Sequence, residues 1–175
     1  MHLTKYCLLL LLLFPLLAAA QSSEKSLRRN QYDYGQLYFI APITFKAVQG
    51  KGALIADFTY SQLTNPGPGA DTVVVLASLI TPFLVQEIGN LTLLIGANRI
   101  ATVPTERMYL EQVKGKWENR IRAKISTAAL LQLLENPNSA GLLLEVNGQE
   151  RRHHASSRWR KAAASIYPIL SFEWK

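Results

Sequence analysis

Short strand-like segments separated by turn-forming residues are the dominant pattern of this sequence, and they constrain the fold most strongly. The segment "ALIADFTYSQL" places Leu54, Ala56, Phe58 and Tyr60 on one face, as in a strand with one buried side. The "TNPGPGAD" segment that follows predicts a surface loop. The continuously apolar "TVVVLASLI" is typical of a strand covered on both faces. In total we expect eight to ten short strands.

Two dipeptides predict tight hairpins. Lys114-Gly115 separates two alternating runs, and Asn147-Gly148 is the strongest hairpin dipeptide in the chain. The run after the first dipeptide has an apolar face and a charged face. The apolar face carries Trp117, Asn119, Ile121, Ala123 and Ile125, and the charged face carries Glu118, Arg120, Arg122 and Lys124. This pattern predicts a strand with one buried face and one solvent-exposed face.

Two short helices interrupt the strands. Leucines at helical spacing predict a helix over about 127–136, capped by Ser126 or Thr127 and ended by Pro137. A second helix is predicted to begin at Ser156 or Ser157. Its inner stripe is Trp159, Ala162, Ala163 and Ile166, so Trp159 is expected in the core. The terminal "YPILSFEWK" is interpreted as a final strand. Together these elements predict a mainly β domain over residues 36–175, either an antiparallel β-sandwich or a small barrel.

The first twenty residues have the form of a secretory signal peptide. Lys5 precedes a long apolar run, and Ala18 and Ala20 form a small-residue cleavage motif before Gln21. We therefore expect cleavage after residue 20 and an exported protein, periplasmic or extracellular; a retained N-terminal anchor is the alternative. The single cysteine, Cys7, lies inside the leader, so the exported chain has no disulfide and no lipidated N-terminal cysteine. Residues 21–35 are polar and predicted to be a flexible segment.

Positive charge is concentrated in the second half of the chain. Residues 21–98 contain five Lys and Arg against five Asp and Glu, whereas residues 99–175 contain thirteen against seven. The densest stretch, "QERRHHASSRWRKAAASI", predicts a polyanion-binding patch formed by Arg151, Arg152, Arg158, Arg160 and Lys161. Anionic components of a cell envelope are the expected partners, such as lipopolysaccharide, acidic glycans or lipid headgroups. No motif indicates specific nucleic-acid binding. The alternative is an ordinary solvated face, with "ERRHHAS" forming a charged edge strand.

Metal and catalytic sites are not favoured by the sequence. Adjacent His153 and His154 point to opposite faces of a strand and cannot share one ion. A Ser-His-Asp set could be drawn from Ser156 or Ser157, either of these histidines, and Asp57 or Asp71, but no nucleophile-elbow motif marks it. A carboxylate pair could be drawn from Asp57, Glu87, Glu106, Glu111 and Glu118. No P-loop or dinucleotide fingerprint is present, so no cofactor is predicted.

The sequence therefore predicts an exported, non-enzymatic binding module of unknown ligand. A small secreted or periplasmic hydrolase is the first alternative. A small outer-membrane β-barrel ranks lower, because the leucine-rich helix and the continuous "TVVVLASLI" do not fit alternating membrane strands.

Overall fold

A computed structural model describes residues 26–50, 52–64 and 71–174 of the chain. The predicted signal peptide, residues 1–20, lies outside the described residues. The prediction of a mainly β protein is confirmed, since ten strands account for most of the described chain. The strands are β1 (Leu27–Tyr32), β2 (Gly35–Ala47), β3 (Ala53–Leu63), β4 (Thr72–Thr81), β5 (Ile88–Ile95), β6 (Asn98–Val103), β7 (Thr105–Val113), β8 (Lys116–Ser126), β9 (Ala140–Val146) and β10 (Gln149–Ala155). The helices are α1 (Thr127–Glu135) and α2 (Ser157–Glu173).

All ten strands belong to one antiparallel sheet. Nine of them follow the order β6-β5-β9-β10-β2-β3-β4-β8-β7, and β1 pairs with β2 beside this path. The first and last strands of this order, β6 and β7, are consecutive in the chain and separated only by Pro104. The sheet must therefore curl until its two ends approach each other. Thr105 Oγ1 of β7 donates to the Gly89 carbonyl of β5 at 2.5 Å, yet no backbone pairing among the described residues closes the sheet.

The curled sheet has an inner face that carries one hydrophobic core. Alternate side chains of β2, β3, β4 and β8 are almost fully buried there, among them Phe45, Phe58, Leu79 and Ile121. Both helices cover this face. The Trp159 ring of α2 lies 5.2 Å from the Phe45 ring and 5.8 Å from the Phe58 ring, measured between centroids. Trp159 is 0% exposed, which confirms its predicted place in the core.

The first helix is as predicted, whereas the second is longer than predicted. Ser126 caps α1 by accepting a hydrogen bond from the Ala129 amide at 3.1 Å. The final strand predicted for "YPILSFEWK" is wrong, because α2 continues to Glu173. Pro168 lies inside α2 and removes one backbone donor. The buried stripe nevertheless extends from Ile166 to Leu170, and burial of this face outweighs the local cost of the proline.

Two further local features differ from expectation. The proline inside "LYFIAPITFKAV" predicts an edge strand or a break, but Pro42 lies in the register shift between Ile40 and Ile43, where β2 bulges and continues as an interior strand. Residues 27–32 fall in the segment predicted to be flexible, yet they form β1 and pair with residues 35–40 of β2. Sequence alone could not detect this pairing, since the exposed side chains of β1 show no alternation.

Both predicted hairpin dipeptides occupy tight turns. Lys114 and Gly115 have φ values of 49° and 74°, and Asn147 and Gly148 have values of 50° and 72°. Positive φ at both central positions is the conformation of the type I′ turn, which matches the twist of the adjoining strands. These turns fix the registers of β7 with β8 and of β9 with β10.

Candidate functional site in the basic C-terminal half

The strand that carries the first two arginines is an interior strand. The edge-strand interpretation of "ERRHHAS" is wrong, because β10 pairs with β9 on one side and with β2 on the other. The pairing with β2 covers only His153 to Ala155. The preceding residues, 149–151, pair with β9 alone. Polar residues are accommodated here because the β2-facing edge opens at this end of the strand.

Arg151 and Arg152 point to opposite faces of the sheet. Arg151 is opposite the core residue Leu144 and therefore lies on the inner face, while Arg152 lies on the outer face. The Arg151 guanidinium carbon lies 4.8 Å from the centre of the Phe83 ring, within cation–π range. Arg152 donates from Nη2 to the Gly96 carbonyl. Both arginines are half-buried.

The other three predicted site residues lie together on α2. Arg158, Arg160 and Lys161 occupy its first two turns and are all exposed. Ser156 caps the helix by accepting a hydrogen bond from the Trp159 amide at 3.3 Å. No acidic residue is present in the first turn, and none of these three cations forms an ion pair with a described residue. We call Arg158, Arg160 and Lys161 the helix triad.

The five predicted site residues therefore do not all lie on one face. The helix triad lies on the solvent side of α2, while Arg151 and Arg152 lie on opposite sides of β10. The sequence identified every one of these cations and the start of the second helix, but it could not show that β10 lies between β9 and β2.

A surface cleft of about 490 Å³ adjoins both arginines of β10. Its walls are residues 48–50 of the β2–β3 turn and residues 149–152 of β10. Glu150 also lines it, but the Glu150 carboxylate is engaged by Arg99 Nη2, at 2.8 Å from each of its oxygens. The cleft thus combines two arginines with one carboxylate that already has a cation partner.

The two histidines diverge as predicted. His153 is 2% exposed on the inner face, and His154 is exposed. Burial lowers the pKa of His153 to about 4. Two backbone hydrogen bonds oppose this lowering of the pKa, and the Arg151 charge adds to it. Within residues 26–50, 52–64 and 71–174, no three His, Cys, Asp or Glu side chains come together to hold a metal ion.

A polar cluster on the outer face was not predicted as a unit. Arg120 of β8 donates to Asp57 Oδ2 of β3 at 2.7 Å and to Ser78 Oγ of β4 at 3.0 Å. Burial raises the pKa of the Asp57 carboxyl above its usual range, and the Arg120 charge opposes part of that rise. The alternating pattern of β8 placed Arg120 on the outer face, but nothing in the sequence linked it to an aspartate 63 positions earlier.

Among the candidate carboxylates, strand pairing places Glu111 of β7 and Glu118 of β8 directly opposite each other. The Tyr109 hydroxyl donates a hydrogen bond to the Glu118 carboxylate at 3.3 Å. Like charges placed directly opposite are mutually repulsive. Glu106 is instead paired with Arg122 at 2.6 Å.

Comparison with known proteins gives no family for this chain: no family model, no curated protein and no solved structure matches it. Within the part of the chain that the structure describes, neither helix has the length and apolar character needed to cross a bilayer.

Proposed function

We propose that this protein is an exported, non-enzymatic binding module that holds polyanionic polymers on the helix triad. The observation that carries the proposal is the position of Arg158, Arg160 and Lys161: three exposed cations in the first two turns of α2, without a carboxylate partner among the described residues. A flexible polyanion can contact several such side chains at once.

This placement of charge does not serve the stability of the helix. The N-terminal end of a helix carries partial positive charge, so basic side chains in the first turn are unfavourable by a few tenths of a kcal/mol each. An anionic ligand would relieve this repulsion, because its charge would interact favourably with the cations and with the helix end. A bound anion would therefore stabilise the helix triad, whereas in the free protein these charges slightly destabilise the helix.

The ligand class follows from the form of this surface. Exposed side chains on a helix provide charge without a shaped pocket, so we expect affinity for repeated anionic groups and little selectivity between polymers. In an exported protein, the candidates are lipopolysaccharide, acidic glycans and anionic lipid headgroups. The buried side of α2 packs on the hydrophobic core, and the triad lies on the exposed side of the same helix.

Export is tested separately from binding. Expression of the full chain followed by intact-mass analysis of the exported material should give a mass that begins at or within a few residues of Gln21. Exported material with the full-length mass would contradict cleavage and would favour the retained anchor.

Binding is tested with a charge-matched pair of variants. The first is Arg158→Gln/Arg160→Gln/Lys161→Gln, and the control is Lys46→Gln/Lys116→Gln/Lys124→Gln, which removes three exposed cations from the sheet. Affinity for heparin, lipopolysaccharide and duplex DNA is measured at low and moderate salt, after circular dichroism shows an unchanged fold. We expect the helix-triad variant to lose at least about tenfold in affinity and the control much less. Equal losses in both variants would show that only net charge matters, and a parent protein that binds none of the three would contradict the proposal.

A further inference from the structure

The starting point is an interrupted pairing between β10 and β2. The Val48 amide donates to the Arg152 carbonyl at 2.9 Å, and the ladder then continues from His153 to Ala155. In the other direction the partner strand turns away, because Gly50 has φ +77°. In antiparallel pairing, alternate residues direct both backbone groups to the same side. The Glu150 N–H and C=O therefore point towards the β2 side, where no described backbone group pairs with them.

This edge, with which no described backbone group pairs, forms one wall of the 490 Å³ cleft described above. The opposite wall is formed by residues 48–50, and Val48 among them is 43% exposed. Phe83, which is 36% exposed, provides apolar surface beside Arg151. A free strand edge that ends in a cleft with apolar surroundings fits an extended peptide, which can add to a sheet by main-chain hydrogen bonds.

The charges of the cleft specify an acidic peptide. Arg151 and Arg152 line it, and its carboxylate, Glu150, is already paired with Arg99. The Arg151 guanidinium carbon lies over the Phe83 ring, and a guanidinium is planar and can donate two parallel hydrogen bonds to a carboxylate. Because the two arginines leave β10 on opposite faces, the carboxylates they attract must also diverge, as adjacent side chains of an extended strand do.

We propose that this cleft binds an extended acidic peptide segment of a partner protein, which adds to the free edge of β10 at Glu150 and places carboxylates against Arg151 and Arg152. This site is distinct from the helix triad in residues and in ligand class: it recognises a backbone as well as charge, whereas the triad recognises charge alone.

The probe is a fluorescently labelled, acetylated Val-Glu-Glu-Val peptide, whose adjacent Glu side chains point to opposite faces when it is extended, measured by fluorescence anisotropy with the purified protein. Two modified probes accompany it, one with every Glu replaced by Gln and one with N-methyl groups on the two Val residues. We expect the Gln probe to bind at least about tenfold more weakly, as for the loss of one charge-assisted hydrogen bond. The N-methyl probe should also bind several-fold more weakly, because it lacks main-chain donors. Equal binding of all three probes would overturn the proposal without the use of any variant.

Variants of the protein locate the site. Arg151→Gln/Arg152→Gln should lower the affinity for the acidic probe at least about tenfold, while the helix-triad variant should retain it. Glu150→Pro removes the backbone donor that faces the cleft but spares the ladder with β9, so it should weaken binding more than Glu150→Gln does. Retained affinity in Arg151→Gln/Arg152→Gln, or loss confined to the helix-triad variant, would overturn the proposal. The proposal would also be overturned if Arg151→Gln/Arg152→Gln weakened the binding of heparin oligosaccharide but not the binding of the peptide.

Discussion

The indole ring of Trp159 packs against the Phe45 ring with their centroids 5.2 Å apart, which fixes the first turn of α2 on the inner face of the sheet. This contact determines the direction of the helix triad. With Trp159 directed into the core, its neighbours Arg158 and Arg160 must point away from it. The stability of the fold and the display of the cations therefore depend on the same turn of helix.

Trp159→Ala should strongly destabilise the protein. Removal of a fully buried aromatic side chain leaves a cavity between α2 and the sheet, and we expect a loss of about 3–5 kcal/mol in the free energy of unfolding. Chemical denaturation provides the measurement. Phe172→Ala is the control on the same helix, since Phe172 is 79% exposed, and it should change stability by less than about 0.5 kcal/mol. Equal stabilities of the parent and Trp159→Ala would refute the core assignment.

Sequence patterns predicted where α2 begins but not where it ends. Trp159, Ala162, Ala163 and Ile166 recur at helical spacing, so the inner stripe could be recognised from the sequence. The last eight residues are ambiguous, because Pro168, Leu170, Phe172 and Trp174 also alternate with the period of a strand. Packing on the core decides between the two periods, and Leu170 is 0% exposed while Phe172 faces solvent.

The candidate site was predicted in composition but not in geometry. The cations could be identified from their density, whereas the division between the helix triad and the β10 arginines depends on strand pairing over long distances. The pairing of His153 with Ala47 joins residues that are far apart in the chain, and no local pattern encodes it. The same limit applies to Asp57 and Arg120, which meet only because β3, β4 and β8 are neighbours in the sheet.

Arg120→Leu should destabilise the protein far more than Arg122→Leu. Asp57 is 3% exposed, so removal of its cation partner leaves a buried carboxylate uncompensated, at a cost of about 3–5 kcal/mol if it stays ionised. The exposed Arg122–Glu106 pair should contribute less than about 1 kcal/mol. Denaturation at pH 7 tests both variants. The additional replacement Asp57→Leu should restore much of the stability lost in Arg120→Leu. Failure to restore it would mean that Arg120 stabilises the sheet by packing alone.

Acid should destabilise the fold through His153. Its pKa of about 4 in the folded protein lies below the usual value of 6.5, so the unfolded chain binds this proton more tightly. The resulting penalty is absent above about pH 6.5 and grows as the pH falls towards 4, reaching roughly 3 kcal/mol. The decrease in unfolding free energy from pH 7 to pH 4 should therefore be smaller in His153→Leu than in the parent. His154→Leu is the control and should behave as the parent does; an identical pH dependence in all three proteins would exclude His153 as the source.

Asn147 should hold the segment between β4 and β5 in place. Its side-chain Oδ1 accepts hydrogen bonds from the Gln86 amide at 3.0 Å and the Glu87 amide at 2.9 Å. Asn147→Gly preserves the positive φ of the turn but removes both acceptors. We expect faster hydrogen exchange at the Gln86 and Glu87 amides with little change at the β9–β10 ladder. Unchanged protection of these two amides would show that the side-chain contacts do not stabilise the segment.

The salt dependence of polyanion binding tests the central claim most directly. For duplex DNA, the logarithm of the binding constant falls linearly with the logarithm of salt concentration, with a slope of about −0.9 for each phosphate that is neutralised. If Arg158, Arg160 and Lys161 each contact the polymer, their replacement by Gln should make this slope shallower by about three. The control Lys46→Gln/Lys116→Gln/Lys124→Gln should keep the slope of the parent. A parental slope in the helix-triad variant, or the same reduction in both variants, would contradict the assignment of polyanion binding to the first turns of α2.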